Sequence, residues 1–160
     1  MRRSILPFAL LLALSSPAFA APSRAFVTDA IKGDNSEIML GKMAQDQGAS
    51  EGVKQFGATL VTDHTEAKQQ MAGVANQLGV PVPDGPTDKA QQEQQKLSNL
   101  HGAAFDHEFV SYMVKDHKQD IAKFRREARA HDPAGLMAAQ QLPVLEKHLQ
   151  IAESLEKSGQ

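Results

Sequence analysis

The chain has no cysteine, no tryptophan and a single tyrosine in 160 residues. Without cysteine there is no disulfide, no thiolate metal site, no cysteine nucleophile, no iron–sulfur cluster and no lipid anchor on an N-terminal cysteine. Neither sign of charge dominates: 17 Lys and Arg face 19 Asp and Glu, a formal charge of −2. No segment concentrates basic residues with aromatics, so a nucleic-acid partner is excluded. β-Branched and aromatic residues are scarce, and nothing alternates like a barrel strand. His-Glu-x-x-His, a nucleophilic serine elbow and a glycine-rich phosphate loop are all missing. The length suits one domain of ordinary size.

The longest apolar run lies at the start. Arg2 and Arg3 precede an almost wholly apolar stretch from Ile5 to Leu14, and Ala18-Phe19-Ala20 supplies small residues before Ala21. This reads as a secretory signal peptide over residues 1–20, too short for the ~20 residues of a membrane span. The remaining residues, 21–160, would carry a charge of −4 once Arg2 and Arg3 are removed. No later segment is apolar enough to cross a membrane, so the expectation is an exported, periplasmic domain with no membrane insertion.

The rest is rich in Ala, Gln, Lys, Glu and Leu, which favours helix. Four long helices are predicted, and their boundaries carry local signals. One runs from about Ala25 to Gln47. The next follows Ser50, a plausible N-cap, and ends at Gly79. The third runs from about Ala103 to Ala130. The fourth starts after Asp132-Pro133, an N-cap with proline at the first helical position, and reaches about Lys157. Each carries one apolar stripe of 3.6-residue period, which implies a four-helix bundle. Short turns join the first pair and the last pair, making each antiparallel. Between the pairs lies a longer connection, Gly79 to Gly102, with a Pro/Gly cluster and a short helical piece from Thr87 to Asn99. It is long enough to travel the length of a helix. The predicted fold is therefore an all-α, ferritin-like four-helix bundle with a long crossover carrying a short extra helix. A simple up-and-down bundle is the alternative. In the fourth helix Pro143 removes a backbone donor, so a kink or a break is expected between about Ala139 and Pro143.

One polar residue interrupts each stripe: Glu37, His64, His117 and His148. All four lie about 12 to 15 residues from the predicted helix starts, hence at mid-height whichever way each helix runs. Burying these groups without partners costs several kcal/mol. A divalent transition metal resolves the cost, since imidazole nitrogen and carboxylate oxygen suit zinc and iron, and copper less. Without metal, Glu37 is expected to hydrogen-bond an imidazole. A buried Glu–His network that only specifies packing is the competing reading. Gly33 and Gly41 flank Glu37 by one turn and leave space there. Phe56-x-x-x-Leu60-Val61-x-Asp63-His64 is echoed by Phe109-x-x-x-Met113-Val114-x-Asp116-His117. Asp63 and Asp116 are thereby candidates for supporting the rings from a neighbouring helix. His101, His107 and His131 read as surface residues.

Three residues before each histidine stand Val61, Val114 and Leu145, where di-iron proteins carry bridging carboxylates. Oxygen-activating chemistry is therefore disfavoured, and a mononuclear, non-catalytic site is the most this set supports. Copper handling through Met39, Met43, Met71 and Met113 and a metal-free structural or envelope-stress interaction module are the alternatives.

Taken together, the export signal, Glu37-Ile-x-Leu-Gly41, Asp63-His64, Phe105-Asp106, Met113-Val114-x-Asp116-His117 and Leu142-Pro143-x-Leu145-x-x-His148-Leu149 resemble a family of exported bacterial proteins. That family is labelled as outer membrane proteins and carries domain of unknown function 4142. The resemblance spans essentially the whole mature chain. It implies a ferritin-like bundle and a periplasmic address, and implies little about activity.

Overall fold

The computed structural model describes residues 21–159, and the signal-peptide reading lies outside them. Five helices form among the described residues: α1 (Ala21–Gln47), α2 (Glu51–Leu78), α3 (Asp88–Leu97), α4 (Ala103–Glu127) and α5 (Pro133–Lys157). Among the described residues there is no strand. The capping signals act where the sequence places them. Ser50 accepts from the Val53 amide, and Asp132 accepts from the Gly135 amide. Gly79 closes α2 in the left-handed region at φ 62°, where glycine alone meets no Cβ penalty. The short helix α3 is capped by Thr87. Helix α4 ends at Glu127, three residues before its expected limit. Helix α5 runs unbroken across Pro143, so the break considered there is absent.

Contacts at the helix ends fix the topology. Arg24, at the start of α1, donates to the carbonyls of Leu78 and Gly79 at the end of α2. At the other end of the bundle, Asp106 in the first turn of α4 accepts from the amides of Ala49 and Ser50, both at 2.8 Å. Helix α4 thus begins beside the start of α2, and the two run parallel. The long crossover is real, and the up-and-down alternative is excluded. Around the bundle the order is α1, α2, α5, α4, with α1 packed along α2 and α4 along α5. The crossover is strapped to α1 by side chains: Asn35 donates to the carbonyls of Pro83 and Gly85, and Ser36 accepts from the Thr87 amide. Helix α3 lies against α1 and α4.

The apolar core comes in two layers. One contains Leu40, Phe56, Leu60, Phe105, Phe109 and Met113; the other contains Val27, Ile31, Met71, Val74, Ile121 and Phe124. Between them, on every one of the four long helices, the buried residue is polar.

Candidate metal centre

Asp34 and Glu37 of α1, His64 of α2, His117 of α4 and His148 of α5 make up this middle layer, all of them buried. Their depth follows from the helical register: each stands where its own stripe passes from one apolar layer to the other. The three imidazoles cluster, with ring centroids 5.2 Å apart for His64 and His148, 5.4 Å for His117 and His148, and 6.1 Å for His64 and His117. One nitrogen from each lies within 4.8 Å of the other two.

The outward partners of the rings assign their tautomers, because a carbonyl or carboxylate oxygen only accepts. His117 Nδ1 donates to the Met113 carbonyl at 3.0 Å. His148 Nε2 donates to Asp63 at 2.8 Å, and His64 Nδ1 donates to Asp34 at 2.9 Å. With one N–H committed outward, each ring keeps one nitrogen without an acceptor: His64 Nε2, His117 Nε2 and His148 Nδ1. His117 Nε2 and His148 Nδ1 face each other at 3.4 Å, and His64 Nε2 is buried with no partner.

Burial keeps His117 and His148 neutral. Desolvation, reinforced by the neighbouring imidazoles, lowers His117 from 6.5 to about 3. The same burial lowers His148 to about 4, with His64 adding to the effect and Asp63 opposing it. The carboxyl groups are pushed the other way. Burial, then the charges of Asp116 and Asp120, raise Glu37 well above its ordinary value. Burial also raises Asp34, although its bond to His64 favours the ionised form.

Glu37 sits in the layer but not among the converging nitrogens. Its Oε1 is 4.0 Å from His117 Nδ1, and its Oε2 has no hydrogen-bond partner. The hydrogen bond expected between Glu37 and an imidazole is therefore not made. His117 finds an acceptor in the carbonyl one turn behind it on its own helix, which needs no reach across the bundle.

The two halves of the sequence echo diverge. Asp63 meets His148, whereas Asp116 pairs with Lys89 of α3 at 2.5 Å and touches no imidazole. The apolar stripe of α1 does not single out Asp34, although it stands one turn before Glu37 on the same face, the i, i+3 spacing that pairs neighbours on a helix. The glycines beside Glu37 serve different ends. A Cβ on Gly41 would stand 2.8 Å from the Gly57 carbonyl, so this position lets α1 approach α2; at Gly33 the only neighbour within 4 Å is Asp120 Oδ2, at 3.9 Å. His101, His107 and His131 are exposed. The methionine sulfurs belong to the apolar layers: Met113, Met39 and Met43 to one, Met71 to the other.

A family model described as Domain of unknown function (DUF4142) matches residues 11–155. No curated protein matches. Among solved structures the chain is similar to "Crystal structure of DUF305 fragment from Deinococcus radiodurans", with a TM-score of 0.78 at 15% identity, covering 89% of this chain and 99% of that one. At that identity the likeness shows a shared helical fold and nothing more.

Proposed function

The chain belongs to the DUF4142 family, and we propose that it binds a single transition metal ion, zinc or iron, in the polar layer through His64, His117 and His148. One observation carries this reading: the 3.4 Å approach of two bare imidazole nitrogens, beside a third that is buried and unpartnered. Two lone pairs do not attract each other, and burial opposes the proton that would reconcile them. A cation does reconcile them. Two nitrogens each about 2.0–2.1 Å from a tetrahedral ion stand roughly 3.3 Å apart. The outward bonds to Asp63, Asp34 and the Met113 carbonyl are those that orient metal-binding histidines.

Glu37, buried in the same layer with Oε2 unpartnered, is the candidate fourth ligand. Asp63 supports His148 from outside the ligand set. Asp116 has the weaker claim to such a role, through Glu37 alone. With four protein ligands the site holds or stores metal and has no open position for catalysis. The thioethers lie in the apolar layers, which argues against copper(I) handling.

The reading includes export. Among the described residues no helix is long and apolar enough to cross a membrane, and residues 1–20 are proposed to be cleaved before Ala21. Mass spectrometry of the exported protein is expected to give Ala21 as the first residue, and an intact Met1 end would contradict it.

Metal analysis of protein purified without chelator, followed by titration with zinc, iron and copper, tests the site. One equivalent of zinc or iron is expected. The His64→Ala/His117→Ala double variant is expected to lose that equivalent while keeping its helical circular dichroism. Unchanged uptake by the double variant would leave the histidines a packing role only.

A further inference from the structure

A cleft of about 1230 Å³ runs into the bundle between α1 and α4 and along the seam of α2 with α5. His64 and Asp34 line it; His117, His148 and Glu37 do not. The cleft therefore reaches the polar layer at the one imidazole whose bare nitrogen has no neighbouring partner. Its wall carries seven carboxylate side chains against four Lys or Arg. Two of those carboxylates stand in sequence on the way in. Asp120 accepts at Oδ1 from Lys123 at 2.8 Å and turns Oδ2 toward the space left at Gly33. Asp34 accepts at Oδ1 from His64 and keeps Oδ2 buried without a partner.

We propose that this cleft is the route by which hydrated divalent cations reach the histidines, with Asp120 the outer and Asp34 the inner relay carboxylate. The proposal rests on the metal-site reading above and adds the direction of approach and the form in which the metal arrives. A hydrated cation exchanges water for carboxylate oxygen readily, and a negatively lined cleft with low-dielectric walls concentrates cations and speeds their capture. From Asp34 the ion has only to cross to His64 Nε2. The missing side chain at Gly33 keeps the passage open beside Asp120, and a bulky residue there would obstruct it without touching a histidine.

Stopped-flow loading of metal-free protein with cobalt(II), read by its visible d–d bands, tests this. Asp120→Asn is expected to slow loading about 3- to 10-fold at low ionic strength, as removal of one charge from a field whose total effect on association rates is roughly 10- to 1000-fold. It should also flatten the dependence on salt and leave the final spectrum unchanged. Asp120→Glu should restore the rate. Gly33→Leu should slow loading with the salt dependence intact. The two readings fail separately. If the wild-type protein gives no stoichiometric cobalt spectrum, or His64→Ala leaves it unaltered, the metal site itself is wrong. If the spectrum forms normally and both Asp120→Asn and Gly33→Leu load at the wild-type rate and salt dependence, the access route is overturned.

Discussion

His117 and His148 meet through two nitrogens 3.4 Å apart, neither of which carries a proton, because each ring has committed its N–H to an oxygen on its far side. A proton placed between them would complete a hydrogen bond, but it would put a positive charge in a dry layer beside a third imidazole. The arrangement is stable only while the rings stay neutral or a cation replaces the proton.

The metal-free protein should lose stability on acidification. In the unfolded chain these histidines titrate near 6.5, whereas burial lowers them to about 3 and about 4 in the fold. Between those limits the unfolded state binds more protons. The stability the two rings contribute is therefore complete above about pH 6.5 and drains away as pH falls toward 4 and 3. Asp34, Glu37 and Asp120, all raised, act in the opposite sense, gaining native protons as the pH falls. Urea midpoints from pH 8 to pH 4 for wild type and a His117→Gln/His148→Gln variant separate the two. The wild type should fall relative to the variant across that window; parallel curves would contradict the assignment.

Replacing Glu37 by Gln should divide stability from metal affinity. In the metal-free protein the fold must hold Glu37 against burial and the charges of Asp116 and Asp120. A neutral amide escapes both and can donate to Asp116. The denaturation midpoint of Glu37→Gln at pH 8 is expected to rise. Zinc affinity, measured by competition with a chromophoric chelator, is expected to fall about tenfold or more, as for loss of one ligand or its close support.

Asp106 clamps the turn between α1 and α2 onto the first turn of α4, and its side chain is almost fully buried. Asp106→Ala leaves two amides without their acceptor and should cost about 3 kcal/mol. Asp106→Asn keeps one acceptor oxygen and should cost roughly half as much. Equilibrium urea unfolding measures both, and equal losses would show that the two amides do not share the carboxylate.

Two glycines should respond oppositely to alanine. A Cβ at Gly57 would stand 2.5 Å from the Gly41 carbonyl and 2.9 Å from Ala44 Cβ. Gly57→Ala should therefore force α1 and α2 apart at a cost of about 1–3 kcal/mol. Gly33 has room and lies inside a helix, where alanine is favoured by roughly 0.5–1 kcal/mol. Thermal unfolding should move down for the first variant and up for the second.

The sequence makes the polar layer legible because a histidine in an apolar stripe is conspicuous, and because four interruptions at equal depth are easy to count. The crossover is legible from chain length alone. Asp34 is harder to see. In α1 small and polar residues such as Gly33, Ser36 and Gly41 dilute the stripe, so the buried face is poorly marked and an aspartate beside Gly33 reads as solvated. The missing Glu37–imidazole bond reflects a choice between acceptors of similar quality, one on the same helix and one across the bundle, and residue spacing does not rank them. The cleft is lined by residues of all four long helices together with Thr87 and Lys89 of the crossover, and no single helix's stripe records such a space.

The crossover divides the chain into two hairpins, and neither holds the site. The α1–α2 half carries Asp34, Glu37, Asp63 and His64; the α4–α5 half carries His117 and His148. The closest nitrogen pair lies within the second half, while the carboxylate that orients His148 belongs to the first. A force or a protease that parts the halves therefore dismantles the donor set before either hairpin need unwind. Anything gripping all three rings would rivet the two halves at mid-height, where Leu149 is the side chain that packs against both apolar layers.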